Sequence, residues 1–223
     1  MSAAASLLLD RLGRPGGLRL GTGSSGPAPH LPTGIAALDA VLNGGLPRGR
    51  ITELSGRRSA GRTGLACAVA ARATRAGETI AWIDPEDALE PEAAAEAGVV
   101  LARTLWVRPR DVADALRAAE ILLGAGGFGL AVLDLGQPAG RTTAWPRLLH
   151  AAERTRSVLL VVAAEREVGA AATLALEVTG RRVRWSGGPG RLVLLDGIEA
   201  RVAVVRNRLG RPAQAVIVRQ ACA

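Results

Sequence analysis

The sequence predicts an α/β fold: a mostly parallel, twisted sheet flanked by helices, with an antiparallel extension at its C-terminal end. Three observations carry this. Short apolar runs such as "TIAWID", "GLAVLDL" and "SVLLVVAA" alternate with helical stretches, and strands fed by helices build parallel sheets covered on both faces. A glycine-rich turn, "GRRSAGRT" (56–63), stands between a strand and a helix. From residue 173 onward, strand-like segments follow one another with few helices between them.

In chain order, "AAASLLLDRL" (3–12) reads as a short amphipathic helix, and "GRPGGLRLGTGSSGPAP" (13–29) as a linker rich in Gly, Ser and Pro. Residues 1–30 are therefore expected to form an N-terminal helix and flexible linker, and residues 31–223 the core domain. In "LPTGIAALDAVL", Thr33 is a candidate cap for a helix whose Ile35, Leu38, Val41 and Leu42 share a face. "NGGLPRG" turns the chain into the strand "RITELS". "GLACAVAARATRAG" is a helix ended by Gly77. Then come a strand (79–84), a helix (88–98), a strand (104–109), a helix (111–127), a buried strand (129–135), a helix (144–156) and another buried strand (157–164). The tail divides into "TLALEVTG", "RRVRWSG", "RLVLLDG", "IEARVAVVRNR" and "QAVIVRQ", read as an antiparallel edge of the same sheet.

The chain has 223 residues, of which 48% are hydrophobic, enough for a sizeable core. No apolar run reaches the ~18 residues of a membrane span, and a cytoplasmic protein is expected. The net charge of +8 and pI of about 11.3 suit an acidic partner such as nucleic acid or an acidic protein surface. Codon usage is an equal explanation: all 28 basic residues are arginine, and Tyr is absent. Trp82, Trp106, Trp145, Trp185 and Phe128 are the only aromatic residues, too few for the usual single-strand stacking platform. Cys67, Cys222, His30 and His150 fall in no metal-ligand spacing, so no metal site is expected.

The turn at 56–63 has the spacing of a phosphate-binding loop, G-x-x-x-x-G-K-[ST], with Arg62 in the lysine slot. In such a loop Gly56 and Gly61 permit the backbone turns, Ser59 is a further nucleotide-binding position, N–H groups at the helix start bind phosphate, and the Thr63 hydroxyl reaches Mg²⁺. Lysine brings a compact ammonium to the phosphates. Arginine is longer and planar, and does not fit the same space. A glycine-rich turn that binds nothing is the plain alternative. Asp134 ends an apolar strand, where a carboxylate can hold Mg²⁺ through water, and Glu86 follows another strand, where it can polarise a water.

The stretch "LPTGIAALDAVLNGGLPRGRITELSGRRSAGRT" resembles the start of a bacterial RecA recombinase core. "GETIAWIDPEDALEPEAAAEAGV" resembles that family's next strand and the loop bearing its catalytic glutamate, which aligns with Glu86. "VRNRLGRPAQAVI" resembles its late hairpin, with Arg206 and Arg208 in the slots of two lysines that reach a neighbour's ATP. The resemblance runs from about Leu18 to Val218 and implies a RecA-like core. The departures bear on activity. Besides Arg62, Glu165 stands where the family has a γ-phosphate-sensing glutamine. The first DNA-binding loop is trimmed, no room remains for the second, and the family's C-terminal domain is missing.

RecA-like chains with these losses resemble the ImuA group. That resemblance implies a non-catalytic accessory of SOS-induced DNA repair by mutagenic translesion synthesis. Its partners would be an ImuB-type protein, an error-prone polymerase and RecA. Binding would use Leu8, Leu9 and Leu12 of the N-terminal segment and the Arg206/Arg208 hairpin. No cofactor is expected, with ATP and Mg as the alternative if the loop works. Glu86 would then be vestigial, and any DNA contact weak and electrostatic. An active DNA-dependent ATPase or recombinase paralogue, and a division inhibitor of the SulA type, are the other readings.

Overall fold

The computed structural model describes residues 29–136, 138–140, 142–187, 194–210 and 215–221. Leu8, Leu9, Leu12 and Cys222 lie outside them. Among the described residues, a small antiparallel hairpin of β1 (His30–Leu31) and β2 (Leu46–Pro47) precedes an eight-stranded sheet. That sheet runs β10 (Ala215–Ala221), β9 (Leu194–Asn207), β8 (Ala172–Ser186), β3 (Ile51–Gly56), β7 (Val158–Ala163), β6 (Phe128–Leu135), β4 (Thr79–Ile83), β5 (Thr104–Val107). From β8 to β5 the neighbours are parallel; β8–β9 and β9–β10 are antiparallel. The expected parallel sheet with an antiparallel C-terminal extension is what forms.

Strands β6 and β7 are apolar, and β3 is buried along its whole length, because both faces of the sheet are covered there. On one face Leu54, Trp82, Val132, Leu160 and Leu176 pack with Leu65 and Val69 of α2 (Arg62–Arg75). On the other, Ile51, Leu133 and Val161 pack with Leu116 and Leu123 of α4 (Val112–Ala125) and Trp145 and Leu148 of α5 (Ala144–Thr155). Each fully buried Leu, Val or Ile contributes about 1.5–3 kcal/mol. Alanine dominates the buried side of α2. It favours helix and lets the axis come close to the sheet. The helix stops before Gly77, whose φ of 89° relieves the last turn. Asp111 caps α4 by accepting the Asp114 N–H at 2.8 Å.

Four expectations change. Helix α1 (Ala36–Val41) begins after Ile35 with no side-chain cap. Thr33 instead donates from its hydroxyl to Asp39 Oδ1 at 2.7 Å and accepts the Ile35 N–H at 3.2 Å, fixing the turn before the helix. The helix expected over 88–98 is only α3 (Pro91–Glu96): Glu90, just before Pro91, is extended at φ −91° and ψ 108°, and the Leu89 N–H donates to Asp84 Oδ2 at 2.8 Å. "TLALEVTG" and "RRVRWSG" form one long strand, β8, and Gly180 marks a register shift between Thr179 and Arg181 rather than an end. "IEARVAVVRNR" likewise continues the end of "RLVLLDG" within β9.

Candidate functional site: the loop between β3 and α2

Strand β3 delivers the chain to Gly56, and α2 begins at Arg62. Between them the backbone takes left-handed values at Ser59 (φ 62°) and Gly61 (φ 102°), and Gly56 sits at φ 155°. A Cβ on Gly56 would lie 2.6 Å from the Val178 carbonyl oxygen, so β8 closes directly on the loop. The Gly56 N–H donates to the Ala164 carbonyl at 3.3 Å, tying the loop's start to the end of β7. Gly61 is the N-cap of α2 and offers no side chain to its first N–H groups. Such orphan donors at a helix start favour an anion.

Arg57, Arg58, Ser59 and Thr63 are exposed. Arg62 is half-buried, and its Nη1 is enclosed without a hydrogen-bond partner. Burial lowers its pKa most. Asp134 and Glu86 oppose that, and Arg58 adds to it. Asp134, near the end of β6, is pushed up to about 6, first by burial and then by the Asp84 carboxylate; Arg62 pulls the other way. Asp84 ends up buried beside it, 1% exposed, with Oδ1 enclosed and unpartnered. Glu86 is exposed, and its carboxylate lies against Gly136, where a Cβ would come within 1.9 Å of Cδ. The loop thus has a basic rim of Arg57 and Arg58, a half-buried Arg62, and an acidic floor of Asp84 and Asp134, with Glu86 exposed beside them.

Of the residues expected here, Gly56, Ser59, Gly61, Arg62, Thr63, Asp134 and Glu86 do meet at one end of the sheet. Glu165 is exposed just past Ala164, hence next to Gly56. Asp84 was missed, although it lies two residues before Glu86 in "IDPED". Glu53 was missed too: a wholly buried carboxylate in β3 that accepts the backbone N–H of Glu167 and, at 2.8 Å, of Val168. A lone acid between Ile51 and Leu54 in a short strand was the available signal, since buried charges must be paired. Glu167 is raised by burial, with Glu53 and Glu165 adding to it and an Ala139 backbone hydrogen bond opposing.

The late hairpin is only partly free. Arg206 is half-buried and donates to the Gly169 carbonyl of its own chain, whereas Arg208 is exposed. Cys67 is raised to about 11 by burial and Asp134, which keeps its thiol protonated and unreactive. Among the described residues no group of three or more His, Cys, Asp or Glu is arranged to hold a metal, and no helix is long and apolar enough to cross a membrane.

The RecA N-terminal domain family matches residues 1–138. Protein RecA of Paenarthrobacter aurescens (strain TC1) is 38% identical over 135 residues, covering 60% of this chain and 39% of its own length. Protein RecA of Clavibacter michiganensis subsp. michiganensis is 42% identical over 128 residues, covering 56% and 35%. The chain thus spans little more than a third of these curated relatives. The crystal structure of the RadB recombinase superposes with a TM-score of 0.64 at 18% identity, covering 85% of this chain and 95% of that one. That likeness is one of fold.

Proposed function

Because the chain belongs to the RecA N-terminal domain family, we propose that it is a non-catalytic RecA-like accessory of the ImuA kind, serving SOS-induced translesion synthesis. The observation that carries this reading is the state of the loop. Arg62 replaces the lysine and is half-buried, its charge coupled to Asp134 and Glu86. Glu165 adds an acid beside Gly56. Beside the arginines, four carboxylates lie around the loop, Asp84, Glu86, Asp134 and Glu165, and their like charge opposes an anion there. The short connections after β6 (136–143) and β7 (164–171) leave little chain for DNA-binding loops.

In this reading the surfaces matter and the chemistry does not. The N-terminal leucines Leu8, Leu9 and Leu12 and the Arg208 side of the hairpin contact an ImuB-type protein, an error-prone polymerase or RecA. Arg206 must leave the Gly169 carbonyl to take part. Pull-down of purified RecA and of an ImuB-type protein, with and without residues 2–13, tests this. Undiminished binding of both by a folded truncation removes the N-terminal segment from the interface.

The retained loop geometry and Asp134 favour a second reading, an ATPase that tolerates Arg62. Steady-state hydrolysis of Mg·ATP, with and without single-stranded DNA, separates the two. The accessory reading expects background rates. Turnover that vanishes in Glu86→Gln establishes the enzyme instead.

A further inference from the structure

A phosphate loop with a carboxylate at the end of a neighbouring strand implies a magnesium nucleotide. Whether these residues fit one turns on Arg62. The register sets Ile83 of β4 level with Leu133 of β6, so Asp84 and Asp134 end adjacent strands side by side. Both alternate in step with Trp82 and Val132, which pack in the same core cluster as α2. Helix α2 starts with Arg62. On this one side of the sheet, the Arg62 guanidinium has an enclosed nitrogen with no hydrogen-bond partner, and Asp84 has an enclosed oxygen with none. Glu86 lies against Gly136, just beyond Asp134.

We infer that Arg62 sets a fixed positive charge beside the carboxylates at the ends of β4 and β6, and that the site therefore refuses a divalent metal. The guanidinium stays charged even where burial pulls its pKa down, because its free value is far above neutrality. A dication would enter beside a fixed positive charge in a partly desolvated setting, where repulsion is strong. Magnesium needs near-octahedral oxygen ligands and gives up its waters reluctantly. A lysine ammonium, compact and flexible, can reach the rim and leave the floor to the metal. The inference concerns the same site as the non-catalytic reading, but its test requires neither a partner nor turnover, so the two can fail separately.

The test is a Mn²⁺ titration of the full chain, free ion read by electron paramagnetic resonance, with Mn²⁺ as the sole probe. The wild type should show no saturable binding that depends on Asp134. Arg62→Gln should bind Mn²⁺ more tightly by on the order of tenfold or more, and Arg62→Gln with Asp134→Asn should lose that gain. Arg62→Met serves if the glutamine variant does not fold, which circular dichroism decides. If neither folds, the wild type and Asp134→Asn suffice: saturable binding that Asp134→Asn abolishes overturns the inference, and its absence supports it. A folded Arg62→Gln protein that gains nothing also overturns it.

Discussion

The carboxylate of Glu53 accepts the backbone N–H of Val168 at 2.8 Å, across 115 residues of sequence. It also accepts the Glu167 N–H and lies 3.7 Å from Arg166 Nε. One side chain thus holds the turn 165–168 against the strand that feeds the phosphate loop. Removing it leaves two buried N–H groups without a partner. We expect Glu53→Ala to cost about 3 kcal/mol, with Glu53→Gln costing less because one acceptor remains. Equilibrium denaturant unfolding measures both. A loss under ~1 kcal/mol for the alanine variant would mean that the turn is held by other contacts.

Gly56→Ala should be among the more damaging glycine changes. It combines φ 155° with a Cβ only 2.6 Å from a backbone oxygen of β8, so the loop or the strand must shift. A cost of about 2–4 kcal/mol is expected. Gly77→Ala, at φ 89° with nothing near its Cβ, bears backbone strain alone and should cost about 1 kcal/mol. Thermal unfolding of the pair checks the order, and equal costs would contradict the closeness of β8 to the loop.

Asp134 makes the fold pH-dependent. Its folded pKa of about 6 lies above the ordinary 3.8, so its contribution is fully present below the ordinary value and is lost as pH rises through 6. A shift of about two units corresponds to roughly 3 kcal/mol at most. Asp134→Asn should therefore be more stable than the wild type at pH 7, and the difference should shrink toward pH 4. Unfolding free energies measured across that range decide it. A variant less stable than the wild type at pH 7 would show that attraction to Arg62 outweighs desolvation.

In the accessory reading, lysine at position 62 alone should not give nucleotide binding, because Glu165 still adds a negative charge beside Gly56. Arg62→Lys should give no thermal shift with Mg·ATP, whereas Arg62→Lys with Glu165→Gln should give a clear positive one. A large shift in the single variant would identify Arg62 as the sole defect.

DNA binding, where it occurs, should be weak and fall steeply with salt, since phosphate neutralisation by arginine releases counterions. Anisotropy of a labelled single strand over a salt series measures the slope. Tight binding that persists at raised salt would point to base stacking instead.

The loop, its arginine and Asp134 were legible because their order and spacing are local: a strand, eight residues, a helix. So was the sheet, from the apolar runs of β6 and β7. Glu53 was not, because its partners Glu167 and Val168 come far later in the chain and a single acid in a strand also suits an open face. Asp84 was passed over for Glu86 because spacing does not say which of two nearby acids turns inward. Gly180 read as a strand end, yet the chain uses it to bend β8 and continue. Thr33 had the chemistry of a cap, yet it stands three residues before the helix begins and bonds Asp39 instead.

The order of the sheet has a consequence for biosynthesis. The family match ends at residue 138, but β3 pairs only with β7 and β8, which lie beyond it. A nascent chain that has just delivered the matched stretch holds the strand of its phosphate loop bare along both edges. Unpaired strand edges invite association with other chains. That strand is sheltered only after Val158–Ala163 and then Ala172–Val178 have left the ribosome. A polypeptide cut at the family boundary should therefore be recovered from cells as aggregate, not as a small folded domain.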